Sequence, residues 1–358
     1  MKKIALIALA LIAALTLSAC GPATFEEINL TDYVELSNYN GLKFQDREIN
    51  VSEFAIQSEI NAAMNSRGYT TQNYDNTQEG GTVAINDITN IDFKGMIDGV
   101  AFEGGSGENY ELSIGSNSFI RGFEEQLVGV NVGETVNINV TFPVPYDNNP
   151  SLAGVDAVFQ VTVNGIIGKT NYPELTDKIA REINENVKTA KELQETIKKE
   201  LEEYNKQQLE AIKKTQLWNE VCESSTFKKD LPSSLLKRYV DNYRSLYETA
   251  AKQNNYASLD AMLEASKFSK KDFEAMIKED AKITMQERLV AYAIAEAEGY
   301  TLSEEDFNES AKKYATAYGY SDPSIYINAR GRDMLEDDFV LDYAKALIIE
   351  KADITPAK

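Results

Sequence analysis

The sequence contains no histidine. Histidine-based triads, imidazole general bases and histidine metal sites are therefore excluded together, and any chemistry must run without the side chain that titrates near neutrality. Cysteine is nearly as scarce, with Cys20 and Cys222 alone. Cys20 falls in a processing signal, so no intramolecular disulfide is expected, and Cys222, in a helical pattern, reads as a small buried hydrophobe. Positive charge is in deficit: 36 Lys and Arg stand against 57 Asp and Glu, a net charge of −21. Such a surface repels phosphate backbones and anionic headgroups, which excludes nucleic acid and electrostatic membrane docking as partners. Glycine is missing from residues 169–298, whereas 14 of the 20 glycines lie between Gly80 and Gly168. The chain thus changes class near residue 169, from short strands punctuated by turns to a helical half rich in Glu and Lys.

A length of 358 residues accommodates two folded units with connecting arms. The first twenty residues carry Lys2 and Lys3, an apolar run over residues 4–15, and then Leu17-Ser18-Ala19-Cys20. The run is shorter than the ~20 residues that span a bilayer, and a cysteine after Leu-Ser-Ala is the lipobox pattern of bacterial lipoproteins. Residues 1–19 are accordingly expected to be a signal peptide and Cys20 a lipidation site, holding the mature chain on the extracytoplasmic face of the cell membrane. Loss of Lys2 and Lys3 would take the net charge to −23.

Residues 20–79 read as an N-terminal anchor, connector and linker, with an extended piece at 34–44 and a short helix at 52–67. Residues 80–169 form the glycine-rich segment, where period-2 or apolar runs at 85–93, 110–114, 135–142 and 157–166 predict a small antiparallel sheet. One or two helical turns over 122–128 would pack on it. Residues 170–358 read as all-helical. Ile179, Ile183, Val187, Ala190, Leu193, Ile197, Leu201, Tyr204, Leu209 and Ile212 trace one stripe along a single long helix. That stripe could be a coiled-coil seam or the packing face of arm-like helices, and its drift favours arms. Pro232 opens another helix, and further helices are expected at 270–298, 303–318 and 334–351.

Within residues 81–168 the motifs Ile91-Asp92-Phe93-Lys94-Gly95, Asp98-Gly99-Val100-Ala101-Phe102-Glu103-Gly104-Gly105, Phe119-Ile120-Arg121-Gly122-Phe123-Glu124, Val132-Gly133-Glu134 and Thr141-Phe142-Pro143 occur in that order. In order and spacing this segment resembles the isomerase domain of trigger factor and, more distantly, the FKBP family. Outside it, Tyr39-Asn40-Gly41-Leu42-Lys43-Phe44, Tyr172-Pro173-Glu174-Leu175-Thr176 and Asp230-Leu231-Pro232 resemble the connector, exit and arm region of trigger factor. The resemblance implies an α+β chain: an FKBP-like antiparallel sheet wrapped on a short helix, followed by an elongated all-α chaperone domain. It implies a prolyl pocket of Phe93, Phe102, Tyr110, Phe119, Ile120, Phe123, Tyr146 and Phe159, with Glu103 beside it and the Ile120 N–H receiving the substrate carbonyl. Glu103 stands where many FKBPs have aspartate, and Phe123 where tryptophan is usual. Prolyl isomerisation needs no metal or cofactor, and none is expected. Gly104-Gly105 and Gly107 lack the lysine and helix of a phosphate loop.

The implied function is that of a membrane-anchored peptidyl-prolyl cis-trans isomerase and chaperone acting on unfolded or newly exported polypeptides. The alternative is a holdase with an idle FKBP fold. Only about sixty residues separate Cys20 from Gly80 and they contain no basic docking loop, so the ribosome, the partner of trigger factor, is not expected to be a partner here. A solute-binding lipoprotein would need two α/β lobes, against which the helical half argues.

Overall fold

The computed structural model describes residues 24–74 and 80–357. The expected signal peptide, Cys20 and residues 75–79 of the linker lie outside the described residues. In chain order the elements are β1 (Val34–Glu35), β2 (Lys43–Gln45), α1 (Glu53–Asn65), β3 (Thr71–Asn73), β4 (Asp87–Ile97), β5 (Val100–Ser113), β6 (Thr135–Thr141) and β7 (Asp156–Asn171). They continue with α2 (Asp177–Ile183), α3 (Ala190–Ser224), β8 (Thr226–Phe227), α4 (Ser233–Gln253), α5 (Leu259–Ala265), α6 (Lys270–Ala297), α7 (Glu304–Ala317), α8 (Pro323–Arg330), α9 (Arg332–Lys351) and β9 (Asp353–Thr355). Polar caps set many of the helix starts: Ser52, Thr176, Ser258, Ser269, Ser303 and Asp322 each accept a backbone N–H from the first turn.

Packing divides the chain into two compact units, one of Lys43–Gln216 with Ile354–Lys358 and the other of Leu217–Asp353 with the stretch up to Leu42. In the first, the antiparallel sheet runs β3-β7-β4-β5, with β6 paired to the edge of β7 opposite β4. Strand β7 alternates as the pleat requires: Ala157, Phe159, Val161 and Val163 are buried, whereas Gln160 and Asn164 are exposed. Those inward side chains meet Ile91, Leu112, Ile138 and Val140 from the neighbouring strands, and Phe123 and Leu127 from the turn between β5 and β6. The outer edge of β6 is covered at Asn139, whose N–H and C=O both bond the Gln126 amide. Helix α1 buries Ile56, Ile60 and Met64 against Ala180 of α2 and Leu193, Ile197 and Leu201 of α3.

In the second unit α6 packs against α4 and α9, and β1 pairs with β8. At its centre Asp337, 1 % exposed, accepts Arg238 Nη2 at 2.5 Å, Tyr292 Oη at 2.9 Å and the Tyr239 hydroxyl. Phe25 stacks on Tyr292 with centroids 5.0 Å apart.

The mixed α+β class is the one anticipated, but several elements differ. The single long helix is two helices. Asn184 ends α2, its Oδ1 taking the Asn186 N–H, and Thr189 caps α3 through the Glu192 N–H. Asp177 reaches across to the Ala190 N–H. These local acceptors compete with helix continuation, so Val187 keeps its place in the stripe while lying in a turn. Strand β5 begins ten residues before the expected 110. It is the sheet edge, and a Gly- and Glu-rich edge strand carries no alternating apolar signal. The helix expected over 122–128 is a turn ending in a 3₁₀ segment, Glu125–Leu127. The short helices α5 and α8, and strand β3 in the linker, were not anticipated. Packing also cuts across the linear segments, since α1, β3, α2 and most of α3 join the sheet.

Candidate functional site: an aromatic cleft

Strands β4, β5 and β7 and the loops after β5 and β6 bring Phe93, Phe102, Glu103, Tyr110, Phe119, Ile120, Phe123, Tyr146 and Phe159 to the wall of one cleft of about 450 Å³. Phe123 and Phe159 form its buried floor at 1 % and 5 % exposure, whereas Tyr110 is 43 % exposed at the rim. Glu103, the only carboxylate among the nine, is also exposed.

The rings form a connected set. Phe93 meets Tyr110, Phe119 and Phe123 edge-on at 5.9, 5.3 and 6.5 Å between centroids. Phe123 lies 4.5 Å from Phe119 and 5.4 Å from Phe159, and Phe102 meets Phe159 at 90° and 5.9 Å. Each such pair contributes about 0.5–1.5 kcal/mol beyond its buried area. The network of rings therefore fixes the cleft's shape.

The glycines beside it make room for rings rather than phosphates. A Cβ on Gly105 would come within 2.6 Å of the Phe102 ring, and one on Gly107 within 2.8 Å of Phe93. In register, Gly107 is the β5 partner of Phe93, so the ring occupies the space a side chain there would take.

Glu124 sets the loop that carries Phe119 and Ile120. Its buried carboxylate accepts the backbone N–H groups of Gly115 and Ser116 at 2.7 and 2.8 Å, Asn117 at 3.3 Å, Ser118 at 2.9 Å and Phe119 at 3.2 Å. Successive amides turned towards one anion fix the backbone over five residues.

The sequence reading missed several contributors to the lining. Phe142 lies 5.8 Å from Phe102 and 4.8 Å from Tyr146, and Leu152 and Asn148 also line the cleft. Phe142 stands within the quoted Thr141-Phe142-Pro143 motif, which was the available signal. No sequence signal marked Glu124 as the organiser of the loop.

A twisted antiparallel sheet closed over a single helical turn, with an aromatic cleft at its mouth, defines an FKBP-type peptidyl-prolyl cis-trans isomerase domain, and the family model of that description matches residues 80–164. A second family model, described as the bacterial trigger factor protein C-terminus, matches residues 189–353. The chain is 35 % identical over 321 residues to a trigger factor of Clostridium botulinum, strain Eklund 17B, covering 88 % of this chain and 72 % of that one. It is 31 % identical over 337 residues to the trigger factor of Staphylococcus saprophyticus, covering 94 % and 75 %, and 35 % identical over 323 residues to that of Shouchella clausii, covering 89 % and 72 %. The chain belongs to the trigger factor family.

Proposed function

We propose that this chain is an active peptidyl-prolyl cis-trans isomerase and chaperone, tethered through lipidated Cys20 and serving polypeptides that have crossed the cell membrane. The observation that carries the isomerase reading is the convergence of nine separately placed residues on one aromatic cleft. Rotation about a peptide bond faces a barrier of about 18–20 kcal/mol because the planar amide is resonance-stabilised. The twisted state has lost that charge separation, so an apolar cleft favours it over the planar ground state. Phe93, Phe102, Phe123 and Phe159 supply the apolar surface. The Ile120 N–H would receive the carbonyl preceding the proline, and Glu103 at the rim would help place the chain. Each ~1.36 kcal/mol of preference for the twisted state is worth about ten-fold in rate. No acid, base, metal or cofactor enters.

Exposed apolar side chains on the helical unit support the chaperone reading, among them Tyr318 at 66 % and Ile283 and Ile325 at 54 %. The Leu17-Ser18-Ala19-Cys20 motif supports the tether and the extracytoplasmic location, and the acidic charge suits clients other than nucleic acid. Clients would then be met beyond the membrane rather than at the ribosome.

The test is prolyl turnover by residues 21–358, wild type beside Phe123→Ala, with suppression of client aggregation measured in parallel. Turnover removed by the substitution is the expected result. Aggregation suppressed without turnover would make the chain a holdase on an idle isomerase fold. For the tether, fatty-acid incorporation should vanish in Cys20→Ser; incorporation that persists would refute it.

A further inference from the structure

The two loops that wall the cleft are each gripped from behind by a helix outside the segment matched as an isomerase. The loop carrying Phe119 and Ile120 is held by α1. Glu59 Oε1 accepts Arg121 Nη2 at 2.8 Å and Asn117 Nδ2 at 3.2 Å. Phe54, one turn earlier on α1, packs against the sheet core, and with Ala55 it faces Phe119 and Ile120 across a crevice of only about 20 Å³, room for about one water. The Arg121 guanidinium also lies over the Tyr204 ring of α3 at 5.2 Å.

The loop carrying Tyr146 is held by α3. The Gln208 side chain pairs with the Val144 backbone at both ends, donating to its C=O at 2.9 Å and accepting its N–H at 2.9 Å. Eight residues on along α3, Gln216 donates to the Gly154 C=O at 2.8 Å at the far end of that loop. Helices α1 and α3 are themselves joined through Ile60, Leu193 and Ile197. The cleft's walls therefore stand on one helical scaffold.

We propose that Glu59 and Gln208 are positioning residues for prolyl isomerisation, setting from outside the isomerase segment the spacing of the two loops between which substrate lies. The inference rests on the isomerase reading above. Neither residue lines the cleft, so each acts through another: Glu59 through Arg121 and Asn117 on the Ile120 amide, Gln208 through Val144 on Tyr146. Displacement of a substrate-holding group by ~1 Å can cost on the order of 100-fold, and loss of one of two or more restraints on a loop should cost less.

The experiment measures kcat and KM on a proline tetrapeptide for the full chain and for Glu59→Ala, Gln208→Ala and the double variant, with Glu59→Gln and Glu195→Gln alongside. Alanine keeps both helices intact. Glu59→Gln retains an acceptor oxygen and should recover most of the effect. Glu195 pairs with Lys191 on the exposed face of α3, and its variant should match wild type. A rise in KM of about three- to ten-fold in each alanine variant, with kcat held, is expected, accompanied by faster amide exchange in residues 115–121 for Glu59→Ala and 143–149 for Gln208→Ala. Lowered kcat at unchanged KM would mean only that less chain is folded, and would overturn the proposal. So would wild-type kinetics in the double variant. No turnover by wild type would instead remove the isomerase reading and this inference with it, so the two failures are distinct.

Discussion

Replacing Glu124 by glutamine tests how the cleft is built. The carboxylate takes five backbone N–H groups, with Ser118 and Phe119 on Oε1 and Gly115, Ser116 and Asn117 on Oε2. Glutamine keeps one acceptor oxygen and turns an NH₂ group towards the donors of the other. At least the two amides on one oxygen lose their partner, and hydrogen bonds to a charged acceptor contribute about 1.5–3 kcal/mol each. The sheet unit should therefore lose about 3 kcal/mol or more. For a unit of this size that corresponds to about 6–12 °C in Tm. The single tryptophan makes the assay specific. Trp218 is 1 % exposed, donates to Glu287 at 3.1 Å and belongs to the helical unit, so its fluorescence follows that unit, while amide exchange in β4 and β7 follows the sheet. Glu124→Gln should lower the protection of the sheet amides and leave the Trp218 transition in place. A fall of less than about 1 kcal/mol in sheet protection, below even one such bond, would refute the assigned role.

Gly107→Ala places a methyl within 2.8 Å of the Phe93 ring. It should displace that ring, cost about 1–3 kcal/mol of sheet stability and weaken proline-peptide binding in a titration; unchanged affinity would show that Phe93 does not shape the cleft. In the helical unit, burial raises the Asp337 carboxyl from its ordinary 3.8 to about 6, against the opposing pull of Arg238 and the Tyr239 and Tyr292 hydroxyls. A folded pKa above the unfolded one makes folding take up a proton, so this contribution is fullest below pH 4 and is lost as pH rises through 6. Relative to Asp337→Asn, wild type should lose about 2 kcal/mol between pH 4 and pH 7 in urea unfolding followed by Trp218, and the opposite slope would refute the assignment. Burial, with Glu287 adding to it, pushes the Cys222 thiol up to about 12. In residues 21–358 its alkylation at pH 8 should run on the order of 10³-fold below the unfolded rate, whereas labelling at the unfolded rate would show the thiol to be accessible.

How much of this was legible in the sequence varied by element. Phe93, Phe102, Phe119 and Phe123 could be placed because each sits in an ordered motif, whereas Phe159 lies in the apolar run 157–166 and was placed by the resemblance alone. Phe142 lies in such a motif but reads as the end of a strand, and only the path of the following loop brings Tyr146 against its ring. Glu124 was visible as a letter, but its role depends on five amides converging, which no periodicity encodes. The break between α2 and α3 was marked by Asn184, Asn186 and the Thr189-to-Glu192 spacing. The apolar stripe runs through that break without interruption and outweighed the caps. Short α5 and α8 bury little of their own, Leu263 and Tyr326 respectively, and left no stripe to find. The pairings of β1 with β8 and β2 with β9 join segments so distant in the chain that local pattern carries no trace of them.

The pairing of β1 with β8 has a consequence for the order in which the protein can be made. Val34 finds Phe227 only after the whole of Lys43–Gln216 has been produced, and closing so long a loop is costly unless the intervening chain has already compacted. A polypeptide emerging amino end first can complete most of the sheet unit and its cleft while residues 24–42 still wait. The helical unit is obliged to finish late. The aromatic cleft would thus be assembled while the helical unit of the same chain was still incomplete.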